Sequence, residues 1–217
     1  MHVEIWSDVA CPWCYVGTQR FGRAVDATGV DVEVVYRSFE LDPGVPVGGE
    51  SPPLVDYLER KFGDRSRVQA AHARLTSAGA ELGIDFRWGG MRRANTFDAH
   101  RLLAWALHDH GADRQRALKQ RLLHAYFTDG LDVADRDVLA ALAADVGLDR
   151  DAAAALLESD AEAEFVRAER AEAYAHGITA VPTFVVEGEW MLQGAHDTDK
   201  WVKALTHIQE ELTSRGL

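Results

Sequence analysis

Polar and apolar residues alternate from His2 to Trp6 (His-Val-Glu-Ile-Trp), the period of a strand with one buried face. Ser7 to Ala10 form a short connection, after which the spacing changes. Trp13, Val16, Phe21 and Val25 give an irregular apolar helix face that ends near Gly29. A second strand is predicted from Val32 to Phe39, and Leu41 to Pro53, rich in Pro and Gly, reads as a loop. The pattern is then helical for more than a hundred residues. Its candidates are Leu54 to Phe62, Ser66 to Leu82, Phe97 to Asp109, Arg114 to Phe127, Arg136 to Val146, Arg150 to Leu157 and Ala161 to His176, punctuated by Gly63, Gly83, Gly111, Gly130 and Gly147. Strand character returns at Thr183 to Val186. Glu187-Gly188 supplies turn chemistry and Trp190 to Gln193 pairs back as a hairpin. Thr198 can cap a last helix, whose Trp201, Leu205, Ile208 and Leu212 fall on one stripe. Without the helical block, a β-α-β…β-β-α unit of about ninety residues remains, enough for one core with a covering domain.

Composition narrows the classes of function. The 47% apolar content is ordinary for a globular chain. A formal net charge of −12 argues against an extended nucleic-acid interface and against acidic membrane surfaces. No apolar run approaches the roughly 20 residues of a membrane span. Met1 leads straight into the first strand with no secretory leader, so a cytoplasmic location is expected.

The 217 residues contain two cysteines, Cys11 and Cys14. Two cysteines scattered at random would fall three apart about one time in a hundred, so the spacing needs an explanation. Cys-Pro-Trp-Cys sits where the first strand passes into the first helix, and Pro12 suits the first helical turn, where its missing N–H costs nothing. The partial positive charge of a helix start stabilises a thiolate. Cysteines so placed have pKa values lowered to roughly 3.5–7.5. Cys11 is thus the expected nucleophile and Cys14, one turn in, the resolving thiol. Structural zinc needs four protein ligands, and none of the nine histidines supplies a matched second pair, so no metal is expected.

Three stretches carry a family resemblance: Ser7-Asp8-Val9-Ala10-Cys11-Pro12-Trp13-Cys14, Asn95-Thr96-Phe97-Asp98-Ala99-His100-Arg101 and Gly177-Ile178-Thr179-Ala180-Val181-Pro182-Thr183-Phe184. Together they resemble the DsbA-like oxidoreductases, and within them the FrnE-like subgroup. The resemblance implies an α/β thioredoxin fold with a large all-helical insertion: residues 1–50 and 177–217 form the thioredoxin-fold domain and 51–176 the insertion. It implies a cis Val181-Pro182 bond facing the dithiol, with the backbone of Val181 pairing with an extended substrate or with glutathione beside Cys11. It also implies that Asn95 and His100 line a substrate pocket, with Pro12, Trp13 and Val181 at its edge. Asp8 reads two ways, as a turn residue or as a carboxylate that relays protons and raises a thiol's pKa. Arg92-Arg93 is a solvated basic pair or a partner for a glutathione carboxylate.

The implied activity is thiol–disulfide exchange through a redox-active Cys11–Cys14 disulfide, with catalytic Cys11, Cys14 and Pro182. No permanently bound cofactor is expected. The partner is a thiol- or disulfide-containing protein, or glutathione as co-substrate. Two alternatives stand beside it. The chain is also similar to kappa-class glutathione transferases and 2-hydroxychromene-2-carboxylate isomerases, which act on small aromatic substrates but carry serine where Cys11 stands. A non-catalytic chaperone-like binder would keep its activity with both cysteines changed to serine.

Overall fold

The computed structural model describes residues 1–46 and 53–216. Positions 47–52 of the expected loop, and with them the expected domain boundary at 50/51, lie outside the described residues. Four strands, β1 (His2–Ser7), β2 (Glu33–Ser38), β3 (Thr183–Val186) and β4 (Trp190–Gln193), form one sheet in the order β2-β1-β3-β4. β1 pairs parallel with β2, placing Val3 beside Val34 and Ile5 beside Tyr36, and pairs antiparallel with β3. The parallel pair needs a crossover, which α1 (Pro12–Thr28) supplies. Between β2 and β3 lie α2 (Leu54–Phe62), α3 (Arg65–Ala80), α4 (Phe97–His110), α5 (Ala112–His124), α6 (Arg136–Asp145), α7 (Arg150–Glu158) and α8 (Ala163–Ala175). α9 (Thr198–Ser214) closes the chain. The α/β thioredoxin fold with a helical insertion is therefore the fold of this protein. No described helix is long and apolar enough to cross a membrane.

Alternation in β1 sends Val3 and Ile5 to a core shared with Phe21 and Ala24 of α1, Phe184 of β3, and the α9 stripe of Trp201, Leu205, Ile208 and Leu212. The Trp201 ring meets those of Phe21 and Phe184 at centroid distances of 5.0 and 4.5 Å. The opposite sheet face packs Trp6 and Phe39 against Ala173 of α8 and Ile178. A second, larger core fills the helical block around Leu102, Leu103, Leu118, Leu122, Phe127 and Leu139. Tyr15 and Val16 of α1 belong to that second core. This explains the irregular apolar face of α1: the helix buries one side in the sheet core and another in the helical block.

β2 stands at the sheet edge, yet the outward backbone groups of Tyr36 and the Ser38 amide are occupied. The Gln115 amide accepts from Tyr36 N and donates to Tyr36 O, both at 2.8 Å, and Glu169 accepts from Ser38 N at 2.9 Å. The predicted helix Arg114 to Phe127 is corrected at its end. Its α-helix stops at His124, and Ala125–Asp129 form a π-helical turn closed by Gly130 at φ 71°. The wider turn buries Tyr126 and Phe127 together, with the Tyr126 hydroxyl donating to Arg92 O at 2.7 Å.

Candidate active site

β1 ends at Ser7, and the chain turns through Asp8 to bring Cys11 to the N-cap of α1. Cys11 has extended backbone angles, φ −98° and ψ 110°, and Pro12 takes the first helical position as expected. Cys14 N donates to Cys11 Sγ at 3.3 Å, so the helix start is aimed at that sulfur. Both cysteines are free thiols and buried, Cys11 at 4% exposure and Cys14 at 0%. Across from them the Val181–Pro182 bond is cis, and the Cys11 thiol donates to Val181 O at 3.7 Å. Gly17 makes this approach possible: a Cβ there would lie 2.9 Å from Pro182 Cγ and 3.3 Å from the Ala195 backbone.

The electrostatics correct one expectation. The helix start alone predicts a lowered Cys11 pKa. The structure instead pushes the Cys11 thiol well up, through its hydrogen bond with Cys14, burial, and the charge of Cys14, with Asp8 adding to the effect. Burial also pushes Cys14 up, but the Cys11 thiol, the Lys119 charge, the Asp8 amide and the Ser7 hydroxyl outweigh it and hold Cys14 below the ordinary thiol range. The two sulfurs titrate as a pair: the first proton leaves more readily than an ordinary thiol's, and the second is retained.

Asp8 is buried and fully engaged. It accepts from Leu41 N at 2.8 Å and from Ala10 N at 3.3 Å, and faces His100 Nε2 at 3.4 Å. Burial raises its pKa, but the hydrogen bond and charge of His100, with Leu41 and Lys119, hold the carboxyl below its ordinary value. The turn-anchor reading of Asp8 thus has its geometry. His100 is 1% exposed and Asn95 is 7% exposed. Asn95 donates to Val45 O at 2.6 Å and accepts from Phe97 N at 2.9 Å. Neither lines the cavity beside Cys11, which corrects their assignment as pocket residues: His100 braces Asp8, and Asn95 ties the start of α4 to the loop after β2.

That cavity, about 520 Å³, opens from Cys11, Pro12, Trp13 and Val181 toward α2 and α3. Its walls include Leu54, Leu58, Val68, Leu75, Trp88 and Phe127, and Lys61, Arg67 and Arg93 stand around them. Arg93 pairs with Asp42 and lies 4.1 Å from the Tyr57 ring. Trp13, Leu41 and Phe62, among the exposed large apolar side chains, all border this cavity. Cys14 does not border it, so access singles out Cys11.

Lys119 was not among the sequence candidates. It is fully buried on α5, its Nζ 3.4 Å from Ser7 O and 5.7 Å from the Tyr36 ring centroid. A signal was available: Gln115, Leu118, Lys119 and Leu122 share one inward stripe, and a lysine on such a stripe is out of place.

Comparison with known proteins places this geometry in a family. A probable DsbA oxidoreductase of Streptomyces coelicolor superposes with a TM-score of 0.90 at 38% identity, over 97% of this chain and 91% of that one. The 2-hydroxychromene-2-carboxylate isomerase of Sphingobium xenophagum is 24% identical, over 86% of this chain and 89% of its own length. The fold is also that of the cytosolic disulfide reductase DsbM from Pseudomonas aeruginosa, solved with GSH, at a TM-score of 0.67 and 20% identity, over 97% of this chain and 100% of that one. The model of the DSBA-like thioredoxin domain matches residues 2–206, and the chain belongs to that family.

Proposed function

We propose that this protein is a thiol–disulfide oxidoreductase whose Cys11–Cys14 pair exchanges disulfides with a thiol compound or a protein thiol. The observation that carries the reading is the pair itself: two coupled sulfurs at a helix start, opposite Val181–Pro182, with Cys11 on a cavity and Cys14 behind it. In the reducing direction, the proton shared by the pair shifts to Cys14 as the Cys11 thiolate attacks a substrate disulfide. This forms a Cys11–substrate disulfide and expels one substrate thiolate. Cys14 gives that proton to the departing thiolate and, as thiolate, attacks Cys11 Sγ, closing the Cys11–Cys14 disulfide and expelling the second substrate thiolate. Two electrons pass from the dithiol to the substrate disulfide. The oxidising direction runs the same steps backwards. Val181, Pro182, Pro12 and Trp13 frame the approach to Cys11, and glutathione is the small thiol most worth testing, since DsbM is solved with it. For work in a reducing cytoplasm the dithiol is the resting form.

A second reading draws on the cavity. Its aromatic and aliphatic walls suit a small aromatic substrate held beside a Cys11-bound or Val181-bound glutathione, an isomerase or transferase reaction. The test is equilibration with reduced and oxidised glutathione, followed by alkylation of free thiols. The proposal expects Cys11 and Cys14 to become alkylation-resistant together and a Cys11–glutathione adduct to form when Cys14 is serine. A pair that never equilibrates, in a protein that still isomerises an aromatic substrate, would overturn it.

A further inference from the structure

The cavity beside Cys11 carries a titratable ring that the exchange reaction as written does not use. His72 stands on α3 and lines that cavity together with Trp88. The two rings lie parallel, 3° between planes and 4.1 Å between centroids. Trp88 is also parallel to Phe86, at 6° and 4.9 Å, and Phe127 meets both Phe86 and Trp88 edge-on. Successive turns of α3 seat this array. His72 stacks on Trp88, Thr76 Oγ1 accepts from Trp88 Nε1 at 2.9 Å, and Gly79 leaves room for Phe86, whose ring would lie 2.7 Å from a Cβ there. Among the described residues the His72 imidazole makes no hydrogen bond and no ion pair. Burial pushes its pKa down, so the ring is uncharged at neutral pH. A flat, fixed and partly exposed ring pair on a cavity wall offers its face to another ring.

The charges along the same cavity say what that ring carries. Three cations, Lys61, Arg67 and Arg93, and two acids, Asp8 and Asp42, line it, in a chain whose formal net charge is −12. Both acids are committed within the protein. Asp8 holds Leu41 N, Ala10 N and His100, and Asp42 accepts from the Tyr57 hydroxyl at 2.6 Å and from Arg93 Nε at 2.8 Å. Arg93 is used up in that contact. Lys61 has no carboxylate at ion-pair distance among the described residues, and Arg67 has Asp64 at 3.7 Å in an exposed pair of little strength. Two cations are therefore left at this cavity for an anion brought by the ligand.

Resting on the thiol–disulfide reading, we infer that His72 and Trp88 form a stacking subsite for the ring of an anionic aryl disulfide, its acid group held by Lys61 and Arg67 and its sulfur presented to Cys11. His72 and Trp88 are then specificity-determining residues of the exchange reaction. A volume of about 520 Å³ suits a ligand of this size. Each turnover breaks one aryl S–S bond, forms the Cys11–Cys14 bond and releases two aryl thiols, with two electrons and two protons passing from the dithiol to the substrate. Glutathione has the acid groups but no ring, so it reaches Cys11 without using the shelf.

The test uses the full chain and three probes: para-mercaptobenzoate, para-mercaptobenzamide and mercaptobutyrate. Their S-methyl thioethers bind without reacting, so calorimetry compares ring and charge free of differences in sulfur reactivity. Their symmetric disulfides react with the reduced protein in single turnovers, read by thiol release. Wild type is expected to bind the benzoate thioether about tenfold more tightly than the butyrate and about threefold more tightly than the benzamide. His72→Ala lowers the benzoate-to-butyrate ratio about fivefold, in binding and in reaction with the disulfides, and His72→Phe keeps it. Lys61→Gln combined with Arg67→Gln removes the preference for benzoate over benzamide. A merely structural role for His72 predicts instead that His72→Ala slows reaction with every disulfide by one factor, which would overturn the inference. Equal binding of the three thioethers by wild type overturns it as well. If His72→Ala loses its native circular dichroism, the wild-type ratios and the exposed Lys61 and Arg67 variant decide, and a flat ratio in wild type or an unchanged one in that variant counts against the subsite. Wild-type protein that reacts with none of these disulfides, nor with oxidised glutathione, sinks the underlying reading.

Discussion

The two sides of the dithiol differ in every physical respect. On the inner side lie the charged and polar groups of the floor, His100, Lys119 and Ser7, all at 1% exposure or less, and Asp8, equally buried, stands between them and the cavity, which it also lines. Before Cys11 lies an open cavity walled by leucines and aromatic rings, with cations around it. The floor has nothing to select a substrate with, and the cavity has few groups that act on sulfur. On the proposed reading, one side sets how readily the sulfurs give up protons, and the other sets what reaches them. The division follows from burial: fixed charges act strongly where water is excluded, whereas an apolar wall contributes only where it is wetted until a ligand arrives.

The hardest test of this division is at the sulfurs. Cys11→Ser is expected to reduce thiol–disulfide exchange to background, while Cys14→Ser retains attack and accumulates mixed disulfides, both read by mass spectrometry of trapped adducts. Equal trapping by the two variants would erase the assignment of Cys11 to the cavity side. Next in size is the floor. Asp8→Ala strands the Leu41 and Ala10 amides and leaves His100 without its partner, for a loss of about 3 kcal/mol in denaturant unfolding. Its pH dependence has a definite sign. The Asp8 pKa is lower in the folded protein, so the stability it contributes is present above its unfolded value, about 3.9, and is lost as pH falls through the folded one. Asp8→Asn should flatten that acid limb of the stability curve.

Gly17→Ala probes the seam between the two sides. Its Cβ at 2.9 Å from Pro182 Cγ should cost about 1–3 kcal/mol and lower exchange rates through displacement of the Val181–Pro182 loop. The smallest expected effect is on the cavity. Phe62 is 57% exposed, so Phe62→Ala should alter stability by under about 0.5 kcal/mol. It should nonetheless cost up to about tenfold in kcat/KM for a thiol bearing an apolar group, and little for glutathione. Equal losses for both thiols would show that the cavity does not discriminate.

Much of the fold was legible in the chain because its signals are local. The His-Val-Glu-Ile-Trp alternation, the helix stripe from Trp201 to Leu212 and the Glu187-Gly188 turn each need only neighbouring residues. Cys11, Cys14 and Val181-Pro182 were legible because the resemblance ties stretches that are far apart. What was not legible depends on partners distant in sequence. The direction in which each thiol is pushed depends on burial, on the other sulfur and, for Cys14, also on a lysine more than a hundred residues away. Asn95 and His100 look like pocket residues in a polar run, and only their bonds to Val45 and Asp8 show them to be braces. The end of α5 escaped because a π-helical turn keeps the apolar spacing of an α-helix while shifting its register.

The side chains of Gln115 and Glu169 have a consequence outside catalysis. By occupying the outward amides of Tyr36 and Ser38, they leave the rim of the sheet with little to offer another chain. Both come from the inserted helices. A truncation designed to recover a minimal thioredoxin from the sheet half would therefore uncover a sticky rim as well as lose its lid. Such a fragment should self-associate through β2, and its failure would be one of solubility before it was one of chemistry.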